Sequence, residues 1–149
     1  MSLPDPERDP QFYEGVPLRR FTAGLIDSVL ILGLMGIVLA LGLIVGALTL
    51  GLGLVIAFGL FFVTGFLYRF IMVSRFSATV GMAFTGIVLR DRQGDQLDSA
   101  TALTHTAGYY VTLFIPALLL GGWVLMGTIP HRRLMHDLPL GTTAINRPL

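Results

Sequence analysis

Two long apolar runs dominate the chain, one from residue 18 to about residue 45 and one from about residue 54 to residue 73. A helix rises 1.5 Å per residue and about 20 apolar residues cross the hydrocarbon core of a bilayer. Each run is therefore long enough to span, and the first is long enough to tilt. Only residues 46–53 (GALTLGLG) separate them. Glycine and a single threonine supply the turn signal there. The pattern predicts a transmembrane helical hairpin with a tight, barely polar tip.

The flanks read differently. Residues 1–17 (MSLPDPERDPQFYEGVP) are polar and rich in proline and charge. Such an arm buries too little to order itself and is expected to be mobile. The apolar run after it far exceeds a signal h-region and reads as an uncleaved signal anchor. Beyond the second run, residues 84–89 alternate weakly and RDRQGDQ gives a turn centred on Gly94, which predicts a short strand. An amphipathic piece at the membrane interface is expected to flank it. Asp98 or Ser99 can then cap a helix by accepting from the free N–H groups of its first turn.

A third apolar block, residues 107–130, is long enough for one crossing. A straight crossing would leave Arg132 and Arg133 outside, against the positive-inside bias. Pro116 and the pair Gly121-Gly122 interrupt the block near its middle. The charge bias favours a broken, re-entrant hairpin over a straight third span. Backbone freed at such a break needs protein or water partners, because lipid offers none.

Charge sharpens this picture. The chain has 149 residues, enough for one domain, of which 54% are apolar and 13% charged. Soluble domains carry about a quarter charged residues. Between Phe21 and Ser74 only Asp27 and Arg69 are charged at neutral pH. Arg8, Arg19 and Arg20 precede the first run, and Arg75, Arg90 and Arg92 follow the second. Both groups are expected on the cytoplasmic side, with the N-terminus inside and the hairpin tip outside. A net charge of +1 gives no field that would draw nucleic acid. Absence of cysteine excludes disulfides and thiolate metal sites.

Three short motifs occur in order. RRFTAGLID supplies Arg20 and Asp27, TVGMAFTGIVLRD keeps Thr79, Gly81, Gly86 and Asp91, and LMHDLPLGTTAI supplies Asp137. Together they resemble the RDD family, named for one arginine and two aspartates, over residues 16–146. Val80, Met82 and Ala83 depart from the family's middle motif, where a proline and a basic pair are usual. The resemblance implies an all-α membrane fold, with residues 18–146 as an RDD-like transmembrane domain and 147–149 as a tail. It also implies that GIVLRD and GTTAIN pair as two short strands, which requires both on one face of the membrane. Transport of ions or small solutes in a bacterial-type inner membrane is the activity it suggests. The alternative is a non-catalytic accessory or assembly subunit of a larger respiratory or photosynthetic complex.

The candidate site is a charge cluster of Arg20, Asp27, Arg69 and Asp137. Arg20 and Asp27 lie almost two turns apart on one side of a helix, about 10 Å along its axis. An ionised aspartate facing lipid costs at least about 2.5–3.5 kcal/mol, so Asp27 should face protein or water. It is expected to act either as a buried latch or as a proton- or cation-carrying carboxylate. Asp137 is expected to pair with Arg20, making Arg20 the centre of an Asp–Arg–Asp cluster. Arg69 is expected to snorkel to the cytoplasmic interface, with pairing to Asp27 as the alternative.

His105, His131 and His136 match no ligand spacing and read as solvated interface residues, so neither a metal nor a cofactor is expected. His136 is expected to point away from Asp137. Trp123, Tyr109 and Tyr110 suit interface anchoring. Gly42 and Gly46 form a small-residue pair that packing within the chain would use. No nucleophile–base pair or phosphate-cradling loop suggests an enzyme. The expected partners are the lipid bilayer and either further copies of the chain or a larger membrane complex.

Overall fold

The computed structural model describes residues 3–147, so residues 1 and 2 of the arm and 148 and 149 of the tail lie outside the described residues. Helix α1 runs over Val16–Leu48 and α2 over Leu52–Phe76. Both are long and apolar enough to cross a membrane. At 1.5 Å per residue α1 is roughly 50 Å long, well beyond a hydrocarbon core of about 30 Å.

Their connection is the turn Thr49-Leu50-Gly51, with Leu50 fully exposed at the tip. Gly51 has φ +98°, a backbone conformation open to glycine because it has no Cβ. The Thr49 hydroxyl accepts the Gly53 N–H at 2.9 Å, which covers one free donor at the start of α2. The helices then meet through small residues. Gly42 packs on Ala57 and Gly46 on Leu54, while Gly53 abuts Val45, so the glycine pair is consumed inside the chain. Around this seam the side chains of Ile37, Leu41, Ile44, Val55, Phe58 and Phe62 are exposed. In lipid such apolar faces carry no penalty, and small residues at the seam let the backbones approach.

The core lies at the other end of the hairpin. Helix α3 (Val80–Thr85) is capped by the Thr79 side chain and ended by Gly86 at φ +73°. Strand β1 (Ile87–Arg90) pairs antiparallel with β2 (Thr143–Asn146), Ile87 opposite Asn146 and Arg90 opposite Thr143. Ile87, Val88, Leu89, Ala144 and Ile145 bury against Val16 and Val73. The two short strands expected from the motifs do pair.

The arm differs from its expectation. A short 3-10 turn at Pro10–Phe12 leads to Tyr13, which is buried. The Tyr13 hydroxyl donates to the Pro4 carbonyl at 2.8 Å, and the Asn146 amide donates to the carbonyls of Gln11 and Glu14. An aromatic anchor and the Asn146 side chain of the last strand thus tie down an arm that polarity alone reads as mobile.

The third apolar block is two helices, α4 (Ser99–Phe114) and α5 (Pro116–Thr128), bent by 110°. Asp98 caps α4, accepting the Thr101 N–H at 2.8 Å. The break falls at Ile115-Pro116, with Ile115 extended at φ −111°, ψ 99°. Proline disfavours helical backbone in the residue before it and fits the first turn of the helix it begins. Gly121 and Gly122 do not break anything; both sit inside α5, where Gly122 lets the Met135 backbone approach. A last short helix, α6 (Asp137–Leu140), precedes β2.

Candidate functional site: two buried ion pairs beside a cavity

Asp27 lies in α1 and is 4% exposed. Its Oδ1 accepts the Tyr68 hydroxyl at 2.7 Å and the Gly81 N–H at 2.9 Å; its Oδ2 accepts the Thr79 hydroxyl at 2.6 Å. The Arg69 guanidinium stands 3.9 Å from Oδ2. Tyr68 in turn accepts the Val80 N–H at 3.2 Å. The motif residues Thr79 and Gly81 therefore wrap the start of α3 around one carboxylate. Gly81 is required there, because an added Cβ would collide with the Ala23 carbonyl of α1.

Arg69 does not snorkel. It is 6% exposed, with its guanidinium carbon 3.5 Å from the centre of the Tyr109 ring. Helix α4 packs over the end of α2 and lays that ring on the cation, so pairing inside the protein replaces the route to the interface. Tyr109 holds a charge rather than a membrane boundary.

Arg20 and Asp137 form the second pair, with Nη1 2.7 Å from Oδ2 and both side chains buried. The Leu134 N–H also reaches Oδ2, at 3.0 Å, and the Thr142 hydroxyl donates to Oδ1 at 3.0 Å. Burial raises the Asp137 carboxyl, but the Arg20 guanidinium, His136, His105 and the Leu134 N–H together outweigh it and hold the carboxyl well below the usual carboxylate range. The expected Asp–Arg–Asp cluster is instead two separate pairs, Arg20–Asp137 and Arg69–Asp27. Helix α3 meets α1 at Ala23, between Arg20 and Asp27, and its Gly81 N–H and capping Thr79, with Tyr68 of α2, occupy Asp27.

The histidines also depart from expectation. His105 and His136 are buried, at 2% and 7% exposure. His105 Nδ1 is 3.4 Å and His136 Nε2 3.7 Å from Asp137 Oδ1, and their rings contact each other edge-on. Burial pushes the His136 imidazole down to about 4, with Arg20 and Arg69 acting in the same direction against Asp137. It is neutral at physiological pH. His105, His136 and Asp137 offer ligand atoms within 4.8 Å of one another, a grouping that linear spacing hides. The set fits a metal cation poorly. Asp137 already serves Arg20, Leu134 and Thr142, and a guanidinium at 2.7 Å repels a second cation.

A cavity of about 190 Å³ adjoins these groups, lined by Arg20, Arg69, His105 and His136 on its polar side. Phe21, Leu25, Leu113 and Trp123 line the apolar side, and Trp123 packs edge-on against Phe21 at 5.9 Å. Four buried nitrogens here have no hydrogen-bond partner among the described residues: Arg20 Nε, Arg20 Nη2, Arg69 Nε and His136 Nδ1.

Of the residues that build the site, sequence reasoning missed Tyr68, His105, His136 and Thr142 as partners. Tyr68 was adjacent to Arg69 and so in view. The others reveal themselves only when the tail folds back onto α4.

No curated protein and no solved structure matches the chain. A family model, that of the RDD family, matches residues 15–141 and so includes Arg20, Asp27 and Asp137. With the match covering most of its length, the chain belongs to the RDD family.

Proposed function

We propose that the protein is a non-enzymatic, multi-pass component of a bacterial-type inner membrane that takes an ion or small solute into the cavity beside the two ion pairs. One observation carries this reading: Arg20 and Arg69 are buried, line the cavity, and keep N–H groups that no protein atom uses. An arginine kept only for architecture would have its buried donors satisfied. Asp27 is not the mobile carrier in this scheme. Protonating it would disturb three hydrogen bonds and the Arg69 pair together, so it acts as the latch that fixes α3 on α1.

A re-entrant α4–α5 fits this role. At about 24 Å and about 20 Å long neither helix crosses a core of about 30 Å, and a 110° bend prevents a straight crossing. Pairing of β1 with β2, on either side of α4–α5 in the chain, supports return to the side from which it entered. The N-terminal arm touches β2 and belongs to that same side, which the arginine bias makes cytoplasmic. Further copies of the chain would complete a pathway around the cavity.

In vesicles reconstituted with the protein and a trapped anion-sensitive dye, an imposed gradient of a small anion should dissipate faster than in empty vesicles. Gly24→Phe, which fills the cavity from a position where an added side chain meets nothing, should abolish the difference. Equal rates with and without protein would sink the transport reading.

An accessory role is the second reading. Gly33, Gly36 and Gly59 lie on the hairpin with open space above them, room for a neighbouring helix to approach closely. Gentle detergent extraction and native mass analysis separate the two, since stoichiometric recovery with a larger complex favours the subunit.

A further inference from the structure

We infer that the cavity binds an anionic head group carried on an acyl chain, an acidic membrane amphiphile with a carboxylate or phosphate head. This rests on the reading that the cavity is a binding site, and it names the ligand class. The floor dictates the head. A guanidinium has only donors, so whatever meets Arg20 or Arg69 in the cavity must be an acceptor. Two arginines whose buried donors are not all used by protein atoms suit an oxyanion with several lone pairs, the group that arginine forks hold best.

Charge permits it as well. Arg20 and Arg69 each face one aspartate, so the two pairs sum to zero before a ligand arrives. A buried cation would lie against two guanidinium charges, whereas an anion finds them attractive.

The rim dictates the tail. Phe21 and Leu25 of α1 and Leu113 of α4 are 50%, 53% and 42% exposed, and they belong to the apolar side of the cavity. A free hydrated anion gains nothing from that rim. Those exposed residues face hydrocarbon, so the cavity opens onto the bilayer, and an acyl chain can lie along the rim without leaving lipid. Polar floor and apolar rim together match a molecule that is charged at one end and hydrocarbon at the other.

Trp123 is the chain's single tryptophan and lines the cavity, so its fluorescence reports occupancy. The test uses the full chain in vesicles of unlabelled phosphatidylcholine. A small, equal fraction of either phosphatidylglycerol or phosphatidylcholine carries bromine on its acyl chains. Brominated phosphatidylglycerol should quench Trp123 more strongly at each mole fraction, and Gly24→Phe, which leaves every charge in place, should bring the two lipids level. Arg20→Lys keeps a cation for Asp137 but removes the fork, and should weaken the preference about tenfold.

Equal quenching by both lipids in the unaltered protein overturns the proposal. So does a preference that survives Gly24→Phe. Added inorganic phosphate that removes the preference at low millimolar concentration would show that the occupant is a free anion, and would overturn the acyl-chain part. Vesicle flux that persists without any lipid preference would leave transport standing while this ligand class falls.

Discussion

Removing the Asp137 carboxylate leaves Arg20 buried without a counter-charge. Breaking a buried pair in this way costs about 3–5 kcal/mol, far more than the pair contributes net. Asp137→Asn should therefore lower the Tm of the detergent-solubilised protein sharply, whereas a double change, Arg20→Met with Asp137→Leu, should recover part of the loss. Thermal melts of the unaltered protein and the two variants check it; a smaller loss in the single variant than in the double would refute it. The histidine beside the pair sets a pH window. His136 is neutral when folded down to about pH 4 but takes a proton near 6.5 when unfolded. Unfolding thus binds a proton between these values, so stability is complete above about pH 6.5 and falls as pH drops toward 4. His136→Phe should make that stretch of the Tm-versus-pH curve shallower, with the remaining slope due to His105, whose imidazole burial also pushes down. Arg20, Asp27, Arg69 and Asp137 are legible in the sequence as the charges an apolar chain would not carry idly. Their pairing is not legible, because Arg20 and Asp27 look like partners until α3 comes between them.

At the scale of elements, hydropathy locates what lipid selects. The two spans and the tight tip follow from runs that no charge interrupts, and α1 extends only a few residues past either expected end. The breaks are harder to read. Pro116 bends the third block because its ring constrains Ile115, while Gly121 and Gly122 remain helical since nothing there removes a hydrogen bond. Tyr13 docks an arm that composition reads as mobile, because one buried aromatic and the side-chain bonds of Asn146 outweigh an average. Glycines likewise look alike in sequence and differ in context. Gly81→Ala would drive a methyl group into the Ala23 carbonyl and within 2.9 Å of Asp27 Oδ1, at a cost of about 1–3 kcal/mol. Gly59→Ala faces open space and should be neutral or stabilising, by up to about 1 kcal/mol from helix propensity. Tm values for the two variants should move in opposite directions or differ clearly; equal shifts would mean that α3 does not dock as described.

For the whole molecule, the lack of cysteine makes topology directly testable. An impermeant maleimide applied outside intact spheroplasts should label Leu50→Cys at the tip and leave Gln93→Cys unlabelled. Pro130→Cys, at the end of the bent pair, decides between a re-entrant loop and a third crossing: protection supports the loop, labelling supports the crossing. The arrangement also dictates an order of events during synthesis. Between Asp27 and Arg69 the ribosome delivers no charged residue, and the tip is a three-residue turn, so the hairpin can enter the bilayer without carrying a charge across. Asp137 emerges almost a whole chain after Arg20. Until then Arg20 waits hydrated at the membrane edge, and the strand ladder has only one of its rails. Dehydration of the Arg20–Asp137 pair and closure of β1 on β2 therefore come last, after both spans are in place. A chain halted before Leu134 would be inserted yet unfinished, its charged base open to quality-control proteases at the surface.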